Sequence, residues 1–192
     1  MRPNEWIQNT LLRLDEKLIS PLLQWRAKQQ DHSWFIGYLE LAYLLCYLLV
    51  PLGVCVLYFL EMQQHVDDYW MIVLLSTYLC YLPLPFFQML PPRMLELKNE
   101  HNQNSHKLRT LNLGILKRAS IHINTFPSAH VASTIAASLA LISFVPFVGM
   151  AFLAIGLSIA GGAVLGRYHY SADAVLAIIF AGIVYFLLSP KS

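Results

Sequence analysis

Charge is what this sequence has least of. Only 12% of its 192 residues are Asp, Glu, Lys or Arg, while 57% are apolar; an ordinary soluble domain is roughly a quarter charged. A soluble fold of this composition would have too little polar surface, so the chain reads as an integral membrane protein, an all-α helical bundle. Cysteine is also scarce. Cys46, Cys55 and Cys80 are odd in number, lie inside apolar segments and lack metal-type spacing, which makes them reduced packing residues and leaves the redox compartment open. Internal repeats and low-complexity tracts are absent. The net charge of +2 is small, and no nucleic-acid partner is expected. At this length residues 1–192 make a single membrane domain with no room for a separate soluble module. Oligomeric state is not legible.

The first thirty residues lack an uninterrupted apolar stretch and a small-residue cleavage site, so they are expected to be retained rather than removed as a signal peptide. From Glu5 to Lys28, apolar residues recur at Ile7, Leu11, Leu14, Leu18, Leu22 and Trp25, while Arg13, Asp15, Glu16 and Lys17 fill the other side. That spacing predicts an amphipathic helix, kinked or split at Pro21. Trp6 and Trp25 suit a membrane interface, so segment 1–30 is expected to lie along the bilayer surface; packing against other protein is the alternative.

Five spans are expected between residues 36 and 188. Ile36 to Leu60 is apolar except for Glu40, which is near enough to the start to reach the interface, and it exceeds the roughly 20 residues a bilayer needs. Tyr69 to Leu90 makes a second span, bent or unwound at Pro83-Leu-Pro85. The stretch 91–125 is a polar loop. Residues 127–145, 147–165 and 172–188 form the last three spans, divided at Phe144-Val-Pro-Phe-Val and at Gly166 to Ser171. Ala132, Ser133, Ala136, Ala137, Gly156, Ala160 and Gly161 recur at helical spacing and allow close helix approach.

Strict alternation across the bilayer then has a chemical consequence. Pro91-Pro92-Arg93 ends the second span, Phe126-Pro127-Ser128-Ala129-His130 opens the third, and Arg167-Tyr-His169-Tyr-Ser-Ala-Asp173 joins the fourth to the fifth. All of these ends fall on one face, with the N-terminal segment and the polar loop above them. Charge this deep between apolar segments is costly and marks a functional site.

The residue types suggest anion chemistry. Pro127 suits the first helical position, which would aim the N–H groups of Ser128, Ala129 and His130 out of a helix N-terminus, a geometry that binds anions. Arg93 and Arg167 add positive charge with bidentate reach to phosphate, although arginines at membrane edges also snorkel to lipid phosphates. His169 and Asp173 are four residues apart, hence on one helix face, so the carboxylate can hold one imidazole nitrogen and free the other. A histidine so held is a nucleophile or base. His130, with an ordinary pKa near ~6.5, can give or take a proton near neutrality. His101, His106 and His122 lie in the polar loop and are expected to be solvated, and Tyr168 and Tyr170 to be interface anchors.

Pro127-Ser128-Ala129-His130 resembles the Pro-Ser-Gly-His signature, and His169-Tyr-Ser-Ala-Asp173 the His-x-x-x-Asp signature, of the type 2 phosphatidic acid phosphatase and vanadium haloperoxidase superfamily. The resemblance covers roughly Pro83 to the C-terminus. It implies that His169 is the phosphorylated nucleophile, that Asp173 supports it, that His130 is the general acid, and that no metal or other cofactor takes part. The family's first motif, a Lys followed seven residues later by Arg-Pro, is absent, since Phe86 stands seven before Arg93; Pro-Pro-Arg is similar to the branch that includes lipid head-group phosphotransferases. The family's Arg six residues before the nucleophile falls on Ala163, with Arg167 as the substitute. Lys117 and Arg118 are candidates to restore the missing charge.

The expected activity is therefore metal-independent dephosphorylation of a lipid phosphate through a phosphohistidine. The lipid could be phosphatidate, phosphatidylglycerophosphate, a polyprenyl (di)phosphate or a sphingolipid. Head-group phosphotransfer on the same site is an alternative. So is metal-assisted hydrolysis by a set made of His130, His169 and Asp173, and so is a catalytically silent lipid-binding or transport protein. The expected partners are the lipid phosphate and the bilayer. Sidedness divides the indications. Twelve Lys and Arg, from Arg2 to Arg167, fall on the site face and only Lys191 on the other, which by the positive-inside rule puts the site in the cytoplasm. Members of the resembled family usually face the periplasm or a lumen. A bacterial inner membrane is the expected location.

Overall fold

The computed structural model describes residues 5–28, 34–86, 89–96, 114 and 124–189. Among these the helices are α1 (Glu5–Lys28), α2 (Trp34–Phe59), α3 (Val66–Tyr81), α4 (Pro92–Glu96), α5 (Ala129–Phe144), α6 (Pro146–Leu165) and α7 (Ser171–Leu188), with a 3-10 turn at Gln63–His65. An all-helical solution follows from the composition, because a helix satisfies its own backbone donors and acceptors where lipid offers none.

Three helices are long and apolar enough to cross a membrane, over Gly37–Phe59, Pro146–Leu165 and Ser171–Leu188. The other two expected spans are shorter: α3 and α5 have 16 residues each, about 24 Å at 1.5 Å per residue, against a hydrocarbon core of about 30 Å. The second span also ends sooner than expected. Its helix stops at Tyr81, and Leu84 and Phe86 then close tight turns by donating to the Tyr81 and Pro83 carbonyls. Pro83 and Pro85 have no N–H with which to continue the helix.

The bundle is built around α5. Ten of its residues are buried, mostly small ones including Ala132, Ala136, Ala137 and Ala140, and it packs against α2, α3, α6 and α7. Short side chains permit this because helices in lipid associate by close packing rather than by hydrophobic exclusion. α6 comes close to α2 at Gly162, where an added Cβ would lie 2.6 Å from the Leu39 carbonyl oxygen. Ser76 and Ser138, buried in the bundle, bond back within their own helices, to the Ile72 and Thr134 carbonyls.

The amphipathic helix α1 lies outside this bundle and is one unbroken helix, with Pro21 inside it. The structure divides its surface differently from the simple apolar stripe. Gln8, Leu11 and Asp15 are buried against protein, whereas Leu14, Leu18, Leu22 and Trp25 are exposed. One face of this helix docks on the bundle, as the alternative of packing against protein expected, and the other is exposed.

Candidate active site

The short sequence that opens α5 sets the first histidine. The helix begins at Ala129, two residues later than the Pro127 position anticipated, because Ser128 is extended and acts as N-cap, its hydroxyl accepting from the Val131 N–H at 3.4 Å. Pro127 precedes the cap, after a cis bond from Phe126. This shift changes what Ser128 and Ala129 can bind. The Ser128 N–H donates to the Asp173 carbonyl at 3.2 Å and the Ala129 N–H to Thr125 Oγ1 at 3.4 Å, so both expected phosphate donors are used within the protein. The first of these bonds joins the start of α5 to the start of α7. His130 is the second residue of the helix, and its carbonyl accepts from the Ser133 and Thr134 hydroxyls.

The second histidine comes from the loop between α6 and α7. The N–H groups of Tyr168 and His169 both donate to the Ala163 carbonyl at 2.9 Å, which folds the chain back over the end of α6. Ala163 itself is fully buried, so the arginine expected there from the resembled family has no room. His169 Nδ1 lies 3.3 Å from Asp173 Oδ2, the i,i+4 contact that the spacing predicted. The same carboxylate oxygen accepts from the Tyr170 N–H at 3.1 Å and from Asn124 Nδ2 at 2.8 Å. Its other oxygen, Oδ1, is buried with no partner among the described residues. The His130 and His169 rings face each other at 6.4 Å between centroids, inclined by 76°. Residues from α5, α6–α7 and the segment before α5 thus converge at one end of the bundle.

Arg93 arrives there too. Its N–H donates to the Arg167 carbonyl at 3.1 Å, and its guanidinium lies 4.8 Å over the Tyr168 ring. Tyr168 stacks on Tyr43 at 4.3 Å and donates its hydroxyl to Glu40 at 2.5 Å. Tyr43 and Tyr47 stand edge-on to His130 at 6.3 and 5.2 Å. Three sequence expectations change here. Tyr168 and Tyr170 are buried rather than interfacial, with the Tyr170 hydroxyl donating to the Leu90 carbonyl. Glu40 is buried as well, against protein. Arg167, expected on a phosphate, has Nη1 on Asp15 Oδ2 at 2.6 Å, with both side chains almost fully buried.

Lys117 and Arg118, with His101, His106 and His122, lie outside the described residues. Among the described residues no group of three or more His, Cys, Asp or Glu is gathered as a metal site, and Asp173 Oδ2 is turned to His169 rather than sharing a centre with both histidines. Sequence reasoning missed Asn124, Glu40 and Asp15. Each is a polar residue whose partner is far along the chain, so only its presence beside or within an apolar stretch could have marked it.

A family model described as the PAP2 superfamily matches residues 9–187. No curated protein and no solved structure matches the chain. The chain belongs to the PAP2 superfamily, which points to phosphatase-type activity on phosphate esters.

Proposed function

We propose, from the premise of a membrane-embedded PAP2 superfamily member, that this protein transfers the phosphoryl group of a lipid phosphate to His169 and then to water. The observation that carries the reading is the pair of facing imidazoles, one of them held by a buried carboxylate. With Nδ1–H of His169 donating to Asp173, the Nε2 lone pair is free to attack. With centroids 6.4 Å apart, both rings can reach one phosphoryl group seated beside them, one nitrogen at a near-attack approach of about 3 Å to phosphorus and the other at a hydrogen bond of about 2.6–3.2 Å to the leaving oxygen.

In the first step the Nε2–P bond forms, the P–O bond to the lipid breaks, and His130 gives the leaving oxygen its proton. Asp173 offsets the positive charge that develops on His169. In the second step His130 takes a proton from water, whose oxygen attacks phosphorus; the Nε2–P bond breaks, its electron pair returns to His169, and inorganic phosphate leaves. Arg93, held over Tyr168 beside this centre, supplies charge for the phosphate oxygens, and Lys117 and Arg118 are further candidates. An acceptor alcohol in place of water would make the same centre a phosphotransferase.

The charge bias supports a site that faces the cytoplasm. Arg13, Lys17, Arg26 and Lys28 of α1 join Arg93 and Arg167 at the site end, because Asp15 docks α1 there; Glu61, Asp67 and Asp68 lie near the other end. The test of function is phosphate release by purified protein from a panel of lipid mono- and diphosphates, with EDTA present, beside His169→Ala and His130→Ala. Release that survives chelation and is lost in both variants is the expected result. Release abolished by EDTA would replace this reading with a metal site, and binding without release, with or without an added alcohol, with a silent lipid-binding protein.

A further inference from the structure

We propose that Asp15, on the N-terminal helix, is a positioning residue of the active site: it holds Arg167 and Ser171 on either side of His169 and so keeps the nucleophile in register. The inference rests on the phosphoryl-transfer reading above. Gln8, Leu11 and Asp15 are spaced by three and four, hence on one face of α1, and that face is the buried one. Leu11 packs with Met89 and Tyr170, while Ile7, Leu12, Phe126 and Ala172 border them.

One turn later, Asp15 uses both carboxylate oxygens. Oδ2 receives Arg167 Nη1 at 2.6 Å, and Oδ1 receives the Ser171 N–H at 2.9 Å and the Ser171 hydroxyl at 2.6 Å. The side chain is 1% exposed, where charge-assisted bonds are about twice as strong as neutral ones. These bonds bracket residues 168–170, so the loop that carries His169 is clamped at both ends by one residue.

The loop needs such a clamp. Arg167 has φ +60°, a left-handed conformation that is strained for a non-glycine residue and persists only where its surroundings over-determine it. Here the side chain is held by Asp15 and the carbonyl by the Arg93 N–H. α1 lies outside the bundle and packs on α6 and α7, the two helices that the loop joins. The bonds of the Asp15 carboxylate go to the two ends of that loop, Arg167 and Ser171.

The test uses the full chain in lipid nanodiscs, comparing wild type with Asp15→Asn, Asp15→Glu and Glu16→Gln, the last removing an exposed charge from the same helix. Two quantities are read: kcat and KM on the best lipid phosphate, and amide hydrogen exchange across residues 167–172. A misplacement of about 1 Å can cost about 100-fold in rate. The expected result for Asp15→Asn is kcat lowered about 10- to 100-fold with KM little changed. Exchange should be faster in 167–172 but not in α5, Asp15→Glu should recover part of the rate, and Glu16→Gln should match wild type. Unchanged kcat and exchange would overturn the proposal, and so would faster exchange throughout the bundle, which would mark a general loss of fold. If the wild type releases no phosphate from any lipid, the phosphoryl-transfer reading falls and exchange alone decides whether Asp15 holds the loop.

Discussion

Asn124 and Asp173, 49 positions apart, are joined by a 2.8 Å hydrogen bond to the carboxylate oxygen that also faces His169. The amide is itself held by the extended pairing of Asn124 with Met89, whose carbonyl accepts the Asn124 N–H at 2.8 Å. The carboxylate that orients the nucleophile is thus oriented in turn by the segment that ends the polar loop. Because Oδ1 of Asp173 has no partner among the described residues, all of its described protein hydrogen bonds fall on the oxygen that serves the histidine.

Asp173→Asn is expected to lower the rate of phosphate release about 1,000- to 10,000-fold, the scale seen when a histidine-orienting aspartate is made neutral. Asn124→Ala is expected to be milder. A hydrogen bond to a charged group is worth about 1.5–3 kcal/mol, which converts to about 10- to 100-fold in rate. Single-turnover kinetics on the two variants separate attack from breakdown of the intermediate; an Asn124→Ala protein as fast as wild type would show that Asp173 needs no such support.

Tyr168 separates two roles that one side chain performs. Tyr168→Leu removes the ring beneath Arg93, and a cation–π contact worth about 0.5–2 kcal/mol should appear as a KM raised a few-fold to about 30-fold. Tyr168→Phe keeps the ring and removes the hydroxyl from buried Glu40, so KM should hold while thermal stability falls by the equivalent of about 1–3 kcal/mol. Equal KM values in the two variants would remove Arg93's platform from the binding account.

Gly162 and Gly161 are adjacent and predict opposite outcomes. A methyl group at Gly162 would meet the Leu39 carbonyl at 2.6 Å, whereas one at Gly161 meets nothing within 4 Å. Gly162→Ala should push α6 from α2 and lower the unfolding midpoint in detergent, with overpacking costs of about 1–3 kcal/mol. Gly161→Ala should leave it unchanged or slightly raised, as expected for exchanging glycine for alanine within a helix.

Orientation is testable without activity. With five spans and a cytoplasmic site face, a reporter fused after Ser192 should be active only if it functions outside the cytoplasm. A reporter that functions there only in the cytoplasm would reverse the orientation and leave the positive charge on the site face to be explained by phosphate binding.

Much of the site was legible because its chemistry is local. His169 and Asp173 are close enough in sequence to meet even though His169 stands in the loop just before the helix that carries Asp173, and Pro127 marks the helix start to within two residues. The apolar lengths located the helices, but α3 ended early because Pro83 and Pro85 act on a backbone that cannot be replaced by side-chain hydrophobicity. The roles of Arg167, Tyr168 and Tyr170 were misjudged for a different reason. Each sits at a span end, where exposure to headgroups is the ordinary outcome, yet each is buried by a partner from elsewhere in the chain.

The sequence by itself determined the membrane class, the all-helical bundle and the histidine–aspartate pair, since low charge, span length and helical periodicity are short-range properties. Only the tertiary structure decided that Asp15 meets Arg167, that Glu40 meets Tyr168 and that Asn124 meets Asp173. Those choices depend on which polar groups come together when the helices pack. Inside an apolar bundle a buried charge must find a partner across the fold, and no local pattern says which one.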